Sequence, residues 1–87
     1  MLEKLIQVYS RPGCHLCEQL IEELLPIIRG KAQLEVMDID TNPEWSRKYG
    51  SRIPVVEYDE RVVCQYSLDV RALRRLLDTS DSDIDAS

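Results

Sequence analysis

The chain has 87 residues, 44% of them hydrophobic and 31% charged, with a formal net charge of −5. That describes one small domain of ordinary globular composition, whose core has to use most of its apolar positions. Asp78, Asp81, Asp83 and Asp85 carry four of the 16 acids in the last ten positions, so residues 1–77 hold 12 acids against 11 bases, and the lack of any basic stripe argues against nucleic-acid binding.

Leu5–Tyr9 reads as a short buried strand. From Cys14 onward, Cys17, Leu20, Ile21, Leu24, Leu25 and Ile28 follow the three-then-four spacing of one helical face. Pro26 removes one hydrogen bond near the end of that helix and Gly30 stops it. Leu34–Ile39 is a second strand, apolar on both faces as in a sheet covered on two sides. Thr41-Asn42-Pro43-Glu44 is a helix start, with a capping side chain, a first-turn proline and an early acid. The helix that follows is short and carries Trp45 and Tyr49 as packing residues up to Gly50. Pro54–Tyr58 and Arg61–Cys64 read as strands joined by a tight Asp59-Glu60 turn. Ser67 is a candidate cap for a last helix with Leu68, Leu73, Leu76 and Leu77 on its apolar face. Residues 1–78 then form the domain, and 79–87 are expected to be an acidic, disordered tail.

The element order is β-α-β-α-β-β-α. A strand–helix–strand crossover requires a parallel pair and the later hairpin adds antiparallel strands. The expected fold class is α/β, a four-stranded mixed sheet flanked by helices. Met1-Leu2-Glu3-Lys4 leads into the first strand with no signal peptide, and Leu24–Ile28, the longest apolar stretch, is too short for a bilayer. The expectation is a cytoplasmic monomer with neither nucleic acid nor membrane as a partner.

The chemistry concentrates in Cys14-His15-Leu16-Cys17, at a strand-to-helix junction. Unpaired N–H groups at a helix N-terminus favour a thiolate there, lowering a free thiol from ~8.5 to roughly 3.5–7.5 in such settings. Cys14 is therefore the candidate nucleophile and Cys17, one turn on, the resolving thiol: a dithiol–disulfide oxidoreductase. His15, the sole histidine, is either an imidazolium that modulates Cys14 or an ordinary exposed side chain. Zinc would need a second ligand pair, and only Cys64 remains, so no metal is expected. Cys64 itself reads as a small buried hydrophobe. The alternative to an enzyme is a non-catalytic, redox-responsive protein-binding module.

Cys-X-X-Cys after the first strand, with Ile53-Pro54 opening the third, resembles the thioredoxin fold. Tyr9-Ser10-Arg11-Pro12-Gly13-Cys14 is closer to glutaredoxins, and closest to a group of small bacterial glutaredoxin-like proteins, over residues 4–77. The resemblance implies a cis Ile53-Pro54 bond whose Ile53 backbone pairs with a thiol substrate. It also implies Arg11 as the holder of a glutathione carboxylate. Its partners would be protein or glutathione disulfides, with glutathione or a reductase as electron donor and no bound cofactor. Two departures stand out. Gln65-Tyr66 replaces the glycine pair of glutaredoxins, which makes Tyr66 either a space-filling side chain or part of the substrate groove. Val8 occupies the region where thioredoxins bury an aspartate.

Overall fold

The computed structural model describes the backbone of residues 4–86 and the side chains of residues 4–78. Strand β1 is Lys4–Ser10, helix α1 is His15–Ile28, and β2 is Ala32–Asp38. A 3₁₀ turn at Ile39–Thr41 leads to α2 (Pro43–Tyr49), then β3 (Val55–Tyr58), β4 (Arg61–Gln65) and α3 (Val70–Ala86). The sheet order is β2-β1-β3-β4, with β1 and β2 parallel and the other pairings antiparallel.

Strand alternation divides the core between the two faces of the sheet. Ile6, Val8 and Val56 pack with Leu20, Leu24 and Ile28 of α1 and with Leu73 and Leu77 of α3. Tyr9, Met37 and Val55 pack on the other face with Ile39 and with Tyr49 of α2. Neighbouring residues of β1 and β3 are thus buried on opposite faces, as expected for the two central strands of a covered sheet.

Three local expectations change. β2 is an edge strand rather than one covered on both faces: it pairs only with β1, and Val36 is 47% exposed. An apolar run does not by itself distinguish a central strand from an edge. Gly50 ends α2 as expected, at φ −52; a Cβ there would collide with the Ser46 carbonyl oxygen. The last helix is capped by Asp69 instead of Ser67: Asp69 Oδ1 accepts the Ala72 N–H at 3.0 Å. The chain leaves β4 through Tyr66 at φ 72, and Ser67 and Leu68 complete that turn before the helix begins. Finally, α3 runs on through the Ser/Asp-rich segment read as a disordered tail. Extending a formed helix adds one hydrogen bond per residue fixed, which is far easier than nucleating a new one.

The remaining signals are realised directly. Asn42 Oδ1 accepts the N–H groups of Glu44 and Trp45, with Pro43 in the first turn of α2. Asp59 and Glu60 take φ 54 and 66 in a two-residue turn, the twist that matches a right-handed hairpin. No described helix is long and apolar enough to cross a membrane.

Candidate functional site

The turn after β1 builds the site. Pro12 and Gly13 occupy the middle of a β-turn in which the Cys14 N–H donates to the Arg11 carbonyl at 3.1 Å, with Gly13 at φ +80. Proline followed by a left-handed glycine is the pattern of a type II turn. It reverses the chain just far enough to leave Cys14 as the N-cap residue of α1. The Cys14 sulfur accepts the Cys17 N–H at 3.2 Å, in place of the usual capping oxygen. The two sulfurs are close enough for a disulfide, with Cα atoms 5.2 Å apart. Cys17 is 2% exposed, whereas Cys14 is only partly covered. One sulfur faces the outside and the other is reached through it.

His15 and Leu16, between the cysteines, are both exposed, Leu16 at 55%. The Ile53-Pro54 bond is cis. Because Tyr9 pairs with Val55, Pro54 lies alongside the end of β1 and the turn leading to Cys14. Ile53 lies outside the strand ladders, packed on one side against the Tyr9–Tyr49 core. On the other flank Val55 pairs with Gln65, and the Tyr66 N–H donates to the Pro54 carbonyl at 2.9 Å. The structure thus brings Cys14, Cys17, Ile53, Pro54 and Tyr66 to one end of the sheet. Arg11 is also there, but its Nε is paired with Asp40 Oδ1 at 2.9 Å.

Cys64 is the penultimate residue of β4, near this end of the sheet, in an open groove it shares with Gln65, Leu68 and Asp69. Burial pushes its thiol up from the ordinary value, a shift that the Asp69 N–H partly offsets. Gln65 buries its side-chain oxygen without a hydrogen-bond partner.

Sequence reasoning missed three participants. The Pro12-Gly13 turn was readable from the dipeptide alone. Asp40 carried no signal, since its pairing with Arg11 depends on a contact 29 positions apart. Glu57 is 6% exposed and accepts the Tyr49 hydroxyl at 2.7 Å. Tyr49 in turn stacks on Tyr9, with ring centroids 4.1 Å apart, and burial followed by the bond to Glu57 pushes its hydroxyl well above the usual range. Glu57 follows Val55 by two in β3 and so shares its sheet face, opposite to the Val8 and Val56 face on which α1 packs. A proton acceptor for Cys17 is not what this buried acid provides.

Comparison with known proteins agrees with the geometry. The model of the glutaredoxin-like domain family (DUF836) matches residues 5–78. A glutaredoxin-like protein of Dictyostelium discoideum, the YDR286C homolog, is 27% identical over 81 residues, covering 85% of this chain and 75% of that protein. The solution structure of protein Ne2328 from Nitrosomonas europaea is 33% identical, covers 90% of this chain and 95% of that one, and superposes with a TM-score of 0.80. Thioredoxin 1 of Thermosipho africanus, at 17% identity, covers 88% of this chain and 98% of that one with a TM-score of 0.60, which places the fold among the thioredoxins.

Proposed function

Since the chain belongs to the glutaredoxin-like (DUF836) family, we propose that it is a dithiol–disulfide oxidoreductase acting through Cys14 and Cys17. The observation that carries this reading is the sulfur of Cys14 at the N-cap of α1, taking the Cys17 N–H as a hydrogen-bond donor. A donor and the positive end of a helix both stabilise the thiolate over the thiol, and the thiolate is the attacking species.

In the reducing direction, the Cys14 thiolate attacks one sulfur of a substrate disulfide. A Cys14–substrate bond forms and the other substrate sulfur leaves as a thiolate that takes a proton from water. Cys17 then loses its proton and attacks the Cys14 sulfur, forming the intramolecular disulfide and releasing the second substrate thiol. Two electrons pass from the dithiol to the substrate. The burial of Cys17 suits this order, because a covered thiol meets only the mixed disulfide delivered next to it. His15, exposed in the first turn, would add positive charge near Cys14 when protonated. Ile53 would present its backbone to an extended substrate beside the cis-proline, in the manner of an added strand.

Return to the dithiol requires an external thiol, either glutathione or the dithiol of a reductase, so the natural setting is a reducing compartment such as the cytoplasm. In that setting the protein would contribute to electron transfer and to thiol balance, with no bound cofactor. The test is exchange with a disulfide substrate by wild type, Cys14→Ser and Cys17→Ser. Loss of all exchange in Cys14→Ser, with accumulation of mixed disulfides in Cys17→Ser, is the expected result. A protein that holds its partners equally well without Cys14 would instead be a binding module.

A further inference from the structure

Tyr66 is half exposed and pinned at both ends. Its N–H donates to the Pro54 carbonyl, and its hydroxyl reaches across to the Ser51 carbonyl at 3.3 Å. The ring therefore runs alongside residues 51–54 and forms a wall beside Ile53. Holding it there is locally unfavourable: Tyr66 is a non-glycine residue at φ 72, next to Gln65 with its unpartnered buried oxygen. Local strain of this kind persists where the surrounding structure over-determines it and clusters at ligand-contacting positions.

Two arginines of the rim already have partners. Arg11 is paired with Asp40, and Arg52 donates through both Nε and Nη2 to the Lys48 carbonyl. Besides the exposed imidazole of His15, the groups near Cys14 and the cis-proline are apolar: Leu16 on α1, Ile53 and the ring of Tyr66.

We infer that Tyr66 is a specificity-determining residue of this site, selecting disulfides whose cysteine is flanked by apolar side chains in an extended protein segment over the small, multiply charged glutathione disulfide. The inference rests on the oxidoreductase reading above. A strand laid along Ile53 runs beside the Tyr66 ring, and Leu16 is exposed two positions from Cys14, so side chains next to its cysteine would meet one or the other. An apolar neighbour there removes two apolar surfaces from water at once. Glutathione offers carboxylates and an ammonium group to the same two walls and loses hydration there without gaining a partner from either of them.

The test is single-turnover reduction by the prereduced protein, which supplies both electrons itself. Three disulfides are compared: glutathione disulfide, the disulfide-linked dimer of a short peptide with Leu-Cys-Leu at its centre, and the same dimer with Ser-Cys-Ser. Wild type should reduce the leucine-flanked dimer fastest. Tyr66→Ala should slow that reaction by roughly tenfold, a typical loss on truncating an aromatic anchor. It should leave the serine-flanked dimer and glutathione disulfide unchanged or faster, while Tyr66→Phe keeps most of the preference. Alkylation of Cys14 by iodoacetamide at an unchanged rate in each variant establishes that the nucleophile is intact. Equal slowing of all three substrates, or no change in their ranking, would overturn the inference while leaving the oxidoreductase reading standing. A wild-type protein that alkylates normally yet reduces none of the three overturns both.

Discussion

Tyr49 and Glu57 form a buried polar pair in an otherwise apolar layer, and each is the other's hydrogen-bond partner. Removing one member leaves the other buried and unpaired, which typically costs ~1–3 kcal/mol. Tyr49→Phe should lower stability by about that amount in a denaturant titration, and the Tyr49→Phe/Glu57→Leu double variant should recover part of the loss. Arg11 and Asp40 make a different kind of pair, with both side chains well exposed at 39% and 50%. Exposed pairs contribute only ~0–1 kcal/mol. Asp40→Ala should therefore leave stability nearly unchanged and free Arg11 for an anionic substrate. The expected gain in kcat/KM for glutathione disulfide is at most about fivefold, because ~1.4 kcal/mol is needed for tenfold. The cysteine pair and the cis-proline were legible as residues from their motif. The partners of Arg11 and Tyr49 were not, because no local pattern encodes a contact made between separate elements.

The elements were read mostly at their starts and stops. Pro12-Gly13, Asn42-Pro43 and Asp59-Glu60 each act through backbone angles or a nearby orphan N–H, so their consequences are local. Glu60, however, sits at φ 66, where a side chain with a Cβ is strained by ~1–2 kcal/mol. Glycine removes that strain but adds unfolded-state entropy worth ~0.4–1 kcal/mol. Glu60→Gly should accordingly stabilise the hairpin by a net of up to about 1.5 kcal/mol, read as a small rise in Tm. Had the turn relied on the Glu60 side chain, Tm would fall instead. β2 was read as an element but not as an edge, and Ser67 was preferred to Asp69 as the cap. Both choices depend on where the chain goes after the pattern ends: β2 has a neighbour on one side only, and the left-handed Tyr66 sets the start of α3.

At the scale of the whole molecule, three groups tie stability to alkaline pH. Burial raises Cys64, burial and then the charge of Glu57 raise Tyr9, and burial followed by the bond to Glu57 raises Tyr49. Each has its folded value above its ordinary one, which is lower for the thiol than for the tyrosines at 10.0. The unfolded chain therefore releases these protons first, and stability falls as the pH rises past about 9. Their contribution is fully present below that point. Denaturant midpoints measured from pH 7 to 11 should show no loss from these groups near neutrality and a steepening decline above 9. Replacing Cys64 by Ala should shift the start of that decline toward the tyrosine range. The sequence by itself determined the order of elements, the parallel crossover and the cysteine pair at the start of α1. Hydrophobic period, turn chemistry and a helix N-terminus all act over a few residues. Only the tertiary structure decided which strand lies at the edge, that Glu57 is buried against Tyr49 on the face away from Cys17, that Arg11 is paired, and that Tyr66 is tied to the carbonyls of Ser51 and Pro54. Those outcomes depend on surfaces meeting after the sheet has closed, where burial and the satisfaction of polar groups are settled between residues far apart in the chain.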